Sequence, residues 1–204
     1  MGQNTIITIG RQCGSGGREI GIQLSKKLNI PFYDKELLKR AAKESGLCEE
    51  VFQQFDEKPT SSLLYSIVMD PYSLGVNTNG INMPINHKVF LAAFDTIKKI
   101  ADEGPCIMIG RCADYALADC PDMISFFLHA PMDVRIETMM KRANLNKDKA
   151  KDLIVKTDKQ RASYYNYYST KKWGSTASYN YCIDTSVLGV DGTVELLQYI
   201  VEHK

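Results

Sequence analysis

The sequence predicts an α/β fold in three layers, with a central parallel sheet between two layers of helices. Three observations lead there. Short apolar runs rich in β-branched residues recur along the chain, segments of helical period separate them, and the first run enters its helix through a cluster of glycines. Strands that alternate with helices in this way pair in parallel and are covered on both faces. A chain of 204 residues can bury a full core and fits one domain, 1–204.

The elements follow in order. Residues 5–10 (T-I-I-T-I-G) form a buried strand, and 13–18 (C-G-S-G-G-R) form a turn. A helix over 19–28 then places Ile20, Leu24 and Leu28 on one face. A second short strand lies at 31–34, followed by an amphipathic helix over 35–45 closed by Gly46 and another over 48–55. Pro59, Pro71 and Pro84 interrupt 56–86, which is expected to be a long functional or mobile loop with at most one helix, at 63–69. Helical period returns over 87–102 until Gly104-Pro105, before a strand at 106–110. Beyond it come a strand at 124–128, helices over 132–143 and 147–168, a last strand at 181–184 and a helix over 193–201.

Composition narrows the function. The 25 basic and 24 acidic residues leave a formal charge of +1, so no global field steers the protein to nucleic acid or to an acidic membrane. Met1 runs directly toward an apolar strand without a basic or long apolar leader, which predicts a cytoplasmic address. The six cysteines are scattered, with no Cys-x-x-Cys pair, and are expected to be reduced thiols that hold no metal.

A strand that turns through glycines into a helix can point successive backbone amides at phosphate oxygens, at the positive end of the helix. Gly14, Ser15, Gly16 and Gly17 suit that role. The standard P-loop pattern, Gly-x-x-x-x-Gly-Lys-Ser/Thr, is not met. With Gly16 as its second glycine, Arg11 falls at the first glycine, Gly17 at the lysine and Arg18 at the hydroxyl residue. The backbone cradle remains, with Arg18 the nearest cation for the β and γ phosphates and Ser15 a nearby hydroxyl. A turn that merely connects strand to helix is the plainer alternative.

Further motifs follow in a fixed order: Tyr33-Asp34 with Arg40-Ala41, Gly110-Arg111-Cys112, Phe126-Phe127-Leu128 with Asp133-Val134-Arg135, Asp158 with Arg161, and Cys182-Ile183-Asp184-Thr185-Ser186. Together they resemble the cytidylate kinase-like proteins, a divergent branch of the P-loop nucleoside monophosphate kinases, over nearly the whole chain. The resemblance implies a nucleoside-kinase-like fold with a helical lid at about 136–175 and a mobile acceptor-binding region at about 35–88. It implies ATP with Mg²⁺ on the loop from Gly14 to Arg18, and an acceptor such as CMP or dCMP with its phosphate between Arg40 and Arg111. Asp34 or Asp158 would orient the acceptor's ribose or base, while Arg135 and Arg161 join Arg18 over the transfer path. The family's aspartate after Gly-Arg is absent here, with Asp114 close by, and a basic residue of its lid falls near Ile154, where Lys156 could stand in.

Two other functions share these motifs: a nucleotide-sensing module that has lost turnover with its lysine, and a kinase for an acceptor other than CMP. Individual residues also have plainer roles. Asp34 could cap the helix that starts at Lys35, Arg40 and Arg135 could be solvated, and Asp158 with Arg161 could form an i,i+3 surface pair. Tyr164, Tyr165, Tyr167 and Tyr168 could stack on single-stranded nucleic acid, but packing of the lid or contact between copies of the chain suits a neutral protein better. The expected partners are therefore small-molecule nucleotides, with no nucleic acid and no membrane.

Overall fold

The structure, a computed structural model, describes residues 5–55 and 85–204. Five parallel strands form one sheet in the order β2-β3-β1-β4-β5. They are β1 (Ile6–Arg11), β2 (Phe32–Tyr33), β3 (Cys106–Ile109), β4 (Met123–His129) and β5 (Tyr181–Asp184). The helices are α1 (Gly17–Leu28), α2 (Lys35–Ser45), α3 (Glu49–Phe55), α4 (Ile85–Glu103), α5 (Ala113–Ala116), α6 (Met132–Ala143), α7 (Lys147–Tyr168) and α8 (Thr185–Glu202). The helix expected at 63–69 and most of the loop at 56–86 lie outside the described residues.

The period-two alternation of β1 divides the core between the two faces of the sheet. Ile7 and Ile9 join Ile107, Ile109, Phe126 and Leu128 under α1 and α8, where Ile20, Leu24, Val194 and Leu197 are buried. Ile6 and Met108 face the other way, under Leu37 and Leu38 of α2, Phe52 of α3, and Ile97 and Ile100 of α4. The tyrosines of α7 make a third cluster. Tyr164, Tyr165 and Tyr168 are buried with Phe90 and Phe127, and the Phe90 and Tyr168 rings stack with centroids 4.0 Å apart. They are packing residues in this fold.

Two features depart most from the sequence reading. The last helix begins at Thr185 rather than at residue 193, because the Asp184 side chain accepts a hydrogen bond from the Ser186 amide and caps a first turn. That turn breaks at Gly189 (φ 66°), and a regular helical period resumes only beyond it. The four-residue α5 was not foreseen, since one turn is too short to show a period. All six cysteines are free. Among the described residues no helix is long and apolar enough to cross a membrane, and no group of three His, Cys, Asp or Glu side chains could hold a metal.

Candidate active site

The strand order reverses around β1, and the turns after β1, β2 and β3 meet at the carboxyl edge where α/β sheets place their sites. The loop after β1 is stitched to β4: the Gln12 amide donates to the Leu128 carbonyl at 2.9 Å, and the Gln12 side-chain oxygen accepts from the Ala130 amide at 3.2 Å. Gly14 and Gly16 are left-handed, with φ of 83° and 77°. The Ser15 hydroxyl turns inward to the Gln12 carbonyl at 2.9 Å, and Thr185 Oγ1 donates to the Ser15 carbonyl at 2.8 Å. Ser15 thus shapes the loop and does not offer its hydroxyl outward.

Gly17 explains the missing lysine. A Cβ built there would lie 2.7 Å from the Cβ of Arg11 and 3.2 Å from its Cγ, so the Arg11 stem occupies the space that a side chain at 17 would need. Gly14 is closed from the other side, since its Cβ would lie 2.8 Å from the Arg135 carbonyl oxygen.

A cavity of about 310 Å³ opens over this loop. Among the described residues Arg11, Arg18, Arg142 and Arg161 line it, with Asp34 the one carboxylate on its wall. A second cavity of about 400 Å³ shares Gly14, Gly16, Arg18 and Arg142 with the first and extends along α1 to Lys26. Neither Arg11 nor Arg142 was singled out from the sequence. Arg11 could have been, because it stands where the standard loop has a glycine; Arg142 carried no signal beyond its place on the same helical face as Arg135.

Asp34 does not cap α2 with its side chain. Arg18 Nε donates to one carboxylate oxygen at 2.8 Å and Arg111 Nη1 to the other at 3.3 Å. Burial alone would raise the Asp34 carboxyl, but the Arg18 hydrogen bond and the charges of Arg111, Arg11 and Arg18 outweigh it and hold it below its ordinary value. Arg111 is itself buried, on a turn in which Gly110, Arg111 and Cys112 have φ of 73°, 54° and 56°. Two non-glycine residues in that region cost about 1–2 kcal/mol each, and such strain persists where surrounding contacts over-determine it. Here the turn aims the guanidinium back across the sheet edge at Asp34.

Asp158 and Arg161 do not pair with each other. From one face of α7 they bind the loop backbone instead: Asp158 accepts from the Cys13 amide at 2.7 Å, and Arg161 Nη1 donates to the Arg11 carbonyl at 3.2 Å. Arg135 is buried beneath the loop, with Nη1 2.5 Å from Asp158 and 3.4 Å from the Cys13 carbonyl, and it lines neither cavity. Arg40 lies elsewhere. Glu44 one turn along α2 and Glu103 at the end of α4 hold its guanidinium at the surface, away from the cavity. Ile154 is fully buried, and Lys156 points outward. Asp114 accepts from the Tyr165 hydroxyl at 2.6 Å, with Lys171 Nζ 3.7 Å away, and burial pushes its carboxyl up despite both partners.

This sheet order and glycine turn define an α/β protein with the fold of the P-loop kinases. A solved shikimate kinase from Bacteroides thetaiotaomicron shares the fold, with a TM-score of 0.55 at 15% identity, covering 97% of this chain and 98% of that one. The chain belongs to the cytidylate kinase-like family, whose model matches residues 6–187. A cytidylate kinase of Methanocaldococcus jannaschii is 26% identical over 204 residues, covering 97% of this chain and 98% of that one. A solved, uncharacterized protein from Eubacterium ventriosum is also 26% identical, with a TM-score of 0.73 and coverage of 98% and 99%. Family and fold are those of kinase-like phosphotransferases acting on nucleotides or small molecules.

Proposed function

We propose that the protein transfers the terminal phosphoryl group of ATP to a nucleoside monophosphate, with CMP or dCMP the first acceptor to test, or to a related small acceptor. The observation that carries this reading is the cavity over the glycine loop, where four guanidinium groups face one carboxylate. Phosphoryl transfer asks a protein for alignment and for positive charge around the migrating group, and little else. Planar guanidiniums supply both, because they grip phosphate oxygens in pairs and stay charged at any working pH.

On this reading the amides from Gly14 to Arg18 cradle the donor phosphates, and Arg18 and Arg161 balance charge as the group moves. Arg111 faces the acceptor phosphate. Asp34, held as an anion, accepts hydrogen bonds from the acceptor's ribose or base. Asp158 and Arg135 hold the loop in place, and Arg40 stays outside. The available carboxylates do not suit a protein-held metal, since Asp34 and Asp158 are already engaged by arginines. Mg²⁺ therefore enters on the nucleotide. The name of the Methanocaldococcus jannaschii relative supports CMP as the first acceptor to test.

A second reading, a nucleotide-binding module without turnover, is favoured by one observation: neither the lysine nor an outward hydroxyl of the standard loop is present. One experiment separates them. ATP binding is measured by titration calorimetry, and ADP release is followed with CMP, dCMP, UMP and AMP. Binding with acceptor-dependent ADP release supports the kinase, binding without release supports the module, and no binding of ATP with or without Mg²⁺ refutes both.

A further inference from the structure

We propose that Arg11 replaces the missing P-loop lysine, delivering its cation from the first position of the loop instead of the seventh; this rests on the phosphotransferase reading above. The standard pattern has a bare glycine at the first position and a lysine at the position that follows its second glycine. Here the two are exchanged: arginine stands at 11 and glycine at 17. The exchange is also spatial. The Cβ that Gly17 lacks would fall 2.7 Å from the Arg11 Cβ, a separation that real Cβ atoms do not adopt, so both side chains cannot be present together. Each substitution on its own would be a defect, one removing a cation and the other crowding the loop. Together they leave one cationic side chain rooted at nearly the same point.

The direction of that side chain agrees. Arg11 ends β1 and lines the same cavity as Gly14, Gly16, Arg18 and Asp34. Its main chain is held from both sides, by pairing with Leu128 of β4 and by the Arg161 guanidinium on its carbonyl, so the stem is rooted on a rigid strand end. A lysine in this role acts as a point charge, whereas a guanidinium offers a fork able to grip two oxygens. Two other arginines around the loop are engaged by carboxylates. Arg135 is consumed beneath it by Asp158, and Arg18 reaches Asp34 at the acceptor side.

The test compares Arg11→Ala, Arg11→Lys, Arg11→Gly and the double substitution Arg11→Gly with Gly17→Lys, which restores the standard spacing. Binding of inorganic triphosphate and of ATP with Mg²⁺ is measured by calorimetry on the full chain, after a thermal melt of each variant. Arg11→Ala and Arg11→Gly are expected to bind both ligands at least about tenfold more weakly, the loss of one charge-assisted hydrogen bond. Arg11→Lys retains most of the affinity, and the double variant recovers what Arg11→Gly alone loses. A loss of packing alone would not be rescued by a lysine placed at 17. Parent-like affinity in Arg11→Ala overturns the inference while leaving the kinase reading intact. So does affinity in both lysine-bearing variants no better than in Arg11→Ala. A parent protein that binds neither ligand removes the kinase reading, and this inference with it.

Discussion

Replacing Gly14 with alanine tests whether the glycine loop and α6 form one packed unit. Two costs are involved. At φ of 83° an L side chain enters the left-handed region, for about 1–2 kcal/mol. The new Cβ would also lie 2.8 Å from the carbonyl oxygen of Arg135 and 3.0 Å from its Cβ. That oxygen belongs to a helix backbone, so relief requires α6 to move, which adds about 1–3 kcal/mol on the scale of overpacked cores. Gly46 separates the two costs, because its φ is 71° and an added Cβ meets nothing within 4 Å. Gly46→Ala bears the first cost alone, partly offset by the reduced freedom of the unfolded chain, about 0.4–1 kcal/mol. The net expectation is about 0.5–1 kcal/mol lost in Gly46→Ala and about 1.5–4 kcal/mol in Gly14→Ala, a gap equal to the overpacking cost of about 1–3 kcal/mol. For a chain of this size the gap corresponds to roughly 2–12 °C in melting temperature. Urea unfolding at unchanged m-value measures both variants. Equal losses would refute the close approach of α6 to the loop.

Two carboxylates should titrate with opposite sign. Asp34 is held below its ordinary value of 3.8, so its contribution to stability is complete above that value and is lost as pH falls through the native one. Asp34→Asn should therefore be less stable than the parent at neutral pH, with a deficit that shrinks in acid; a deficit independent of pH contradicts the Arg18 and Arg111 pairing. Asp114 is raised above 3.8, so its native form favours the proton and stability falls as pH rises through the native value. Asp114→Asn should gain on the parent between acid and neutral pH in the same unfolding series, and a loss there would show that the ionised form is the better accommodated one. Arg111→Ala removes one of the two salt-bridge partners described for the buried Asp34 and should cost about 3 kcal/mol along with acceptor affinity, whereas Arg40→Ala should leave acceptor affinity and turnover unchanged. A loss of either in Arg40→Ala would place that arginine in the site after all.

Much of the fold was legible because its signals are local. The apolar run at 5–10 and the helical period of 35–45 survive in the structure nearly to the residue, since each element buries the residues its own pattern marks. The glycine loop was legible for the same reason, being a backbone property written in four adjacent residues. Side-chain partners were not. The sequence cannot state that Glu103 captures Arg40 across 63 positions, or that Asp158 reaches the Cys13 amide across 145. Asp158 and Arg161 look like a helical pair at i,i+3 spacing, yet both turn to a loop built far earlier in the chain. Arg135 likewise shows only its position on an amphipathic helix, and burial beneath Gly14 is a tertiary outcome.

Thr185 gives the glycine loop a dependence on the order in which the chain is made. Its hydroxyl bridges the Ser15 carbonyl, 170 positions upstream, to the His129 carbonyl at the end of β4. During synthesis, β1 and α1 emerge long before that hydroxyl exists, so a growing chain carries the glycines of the turn without their fastening. A nascent chain halted short of residue 185 would present the glycines of the turn but not the hydroxyl that fastens it to the end of β4.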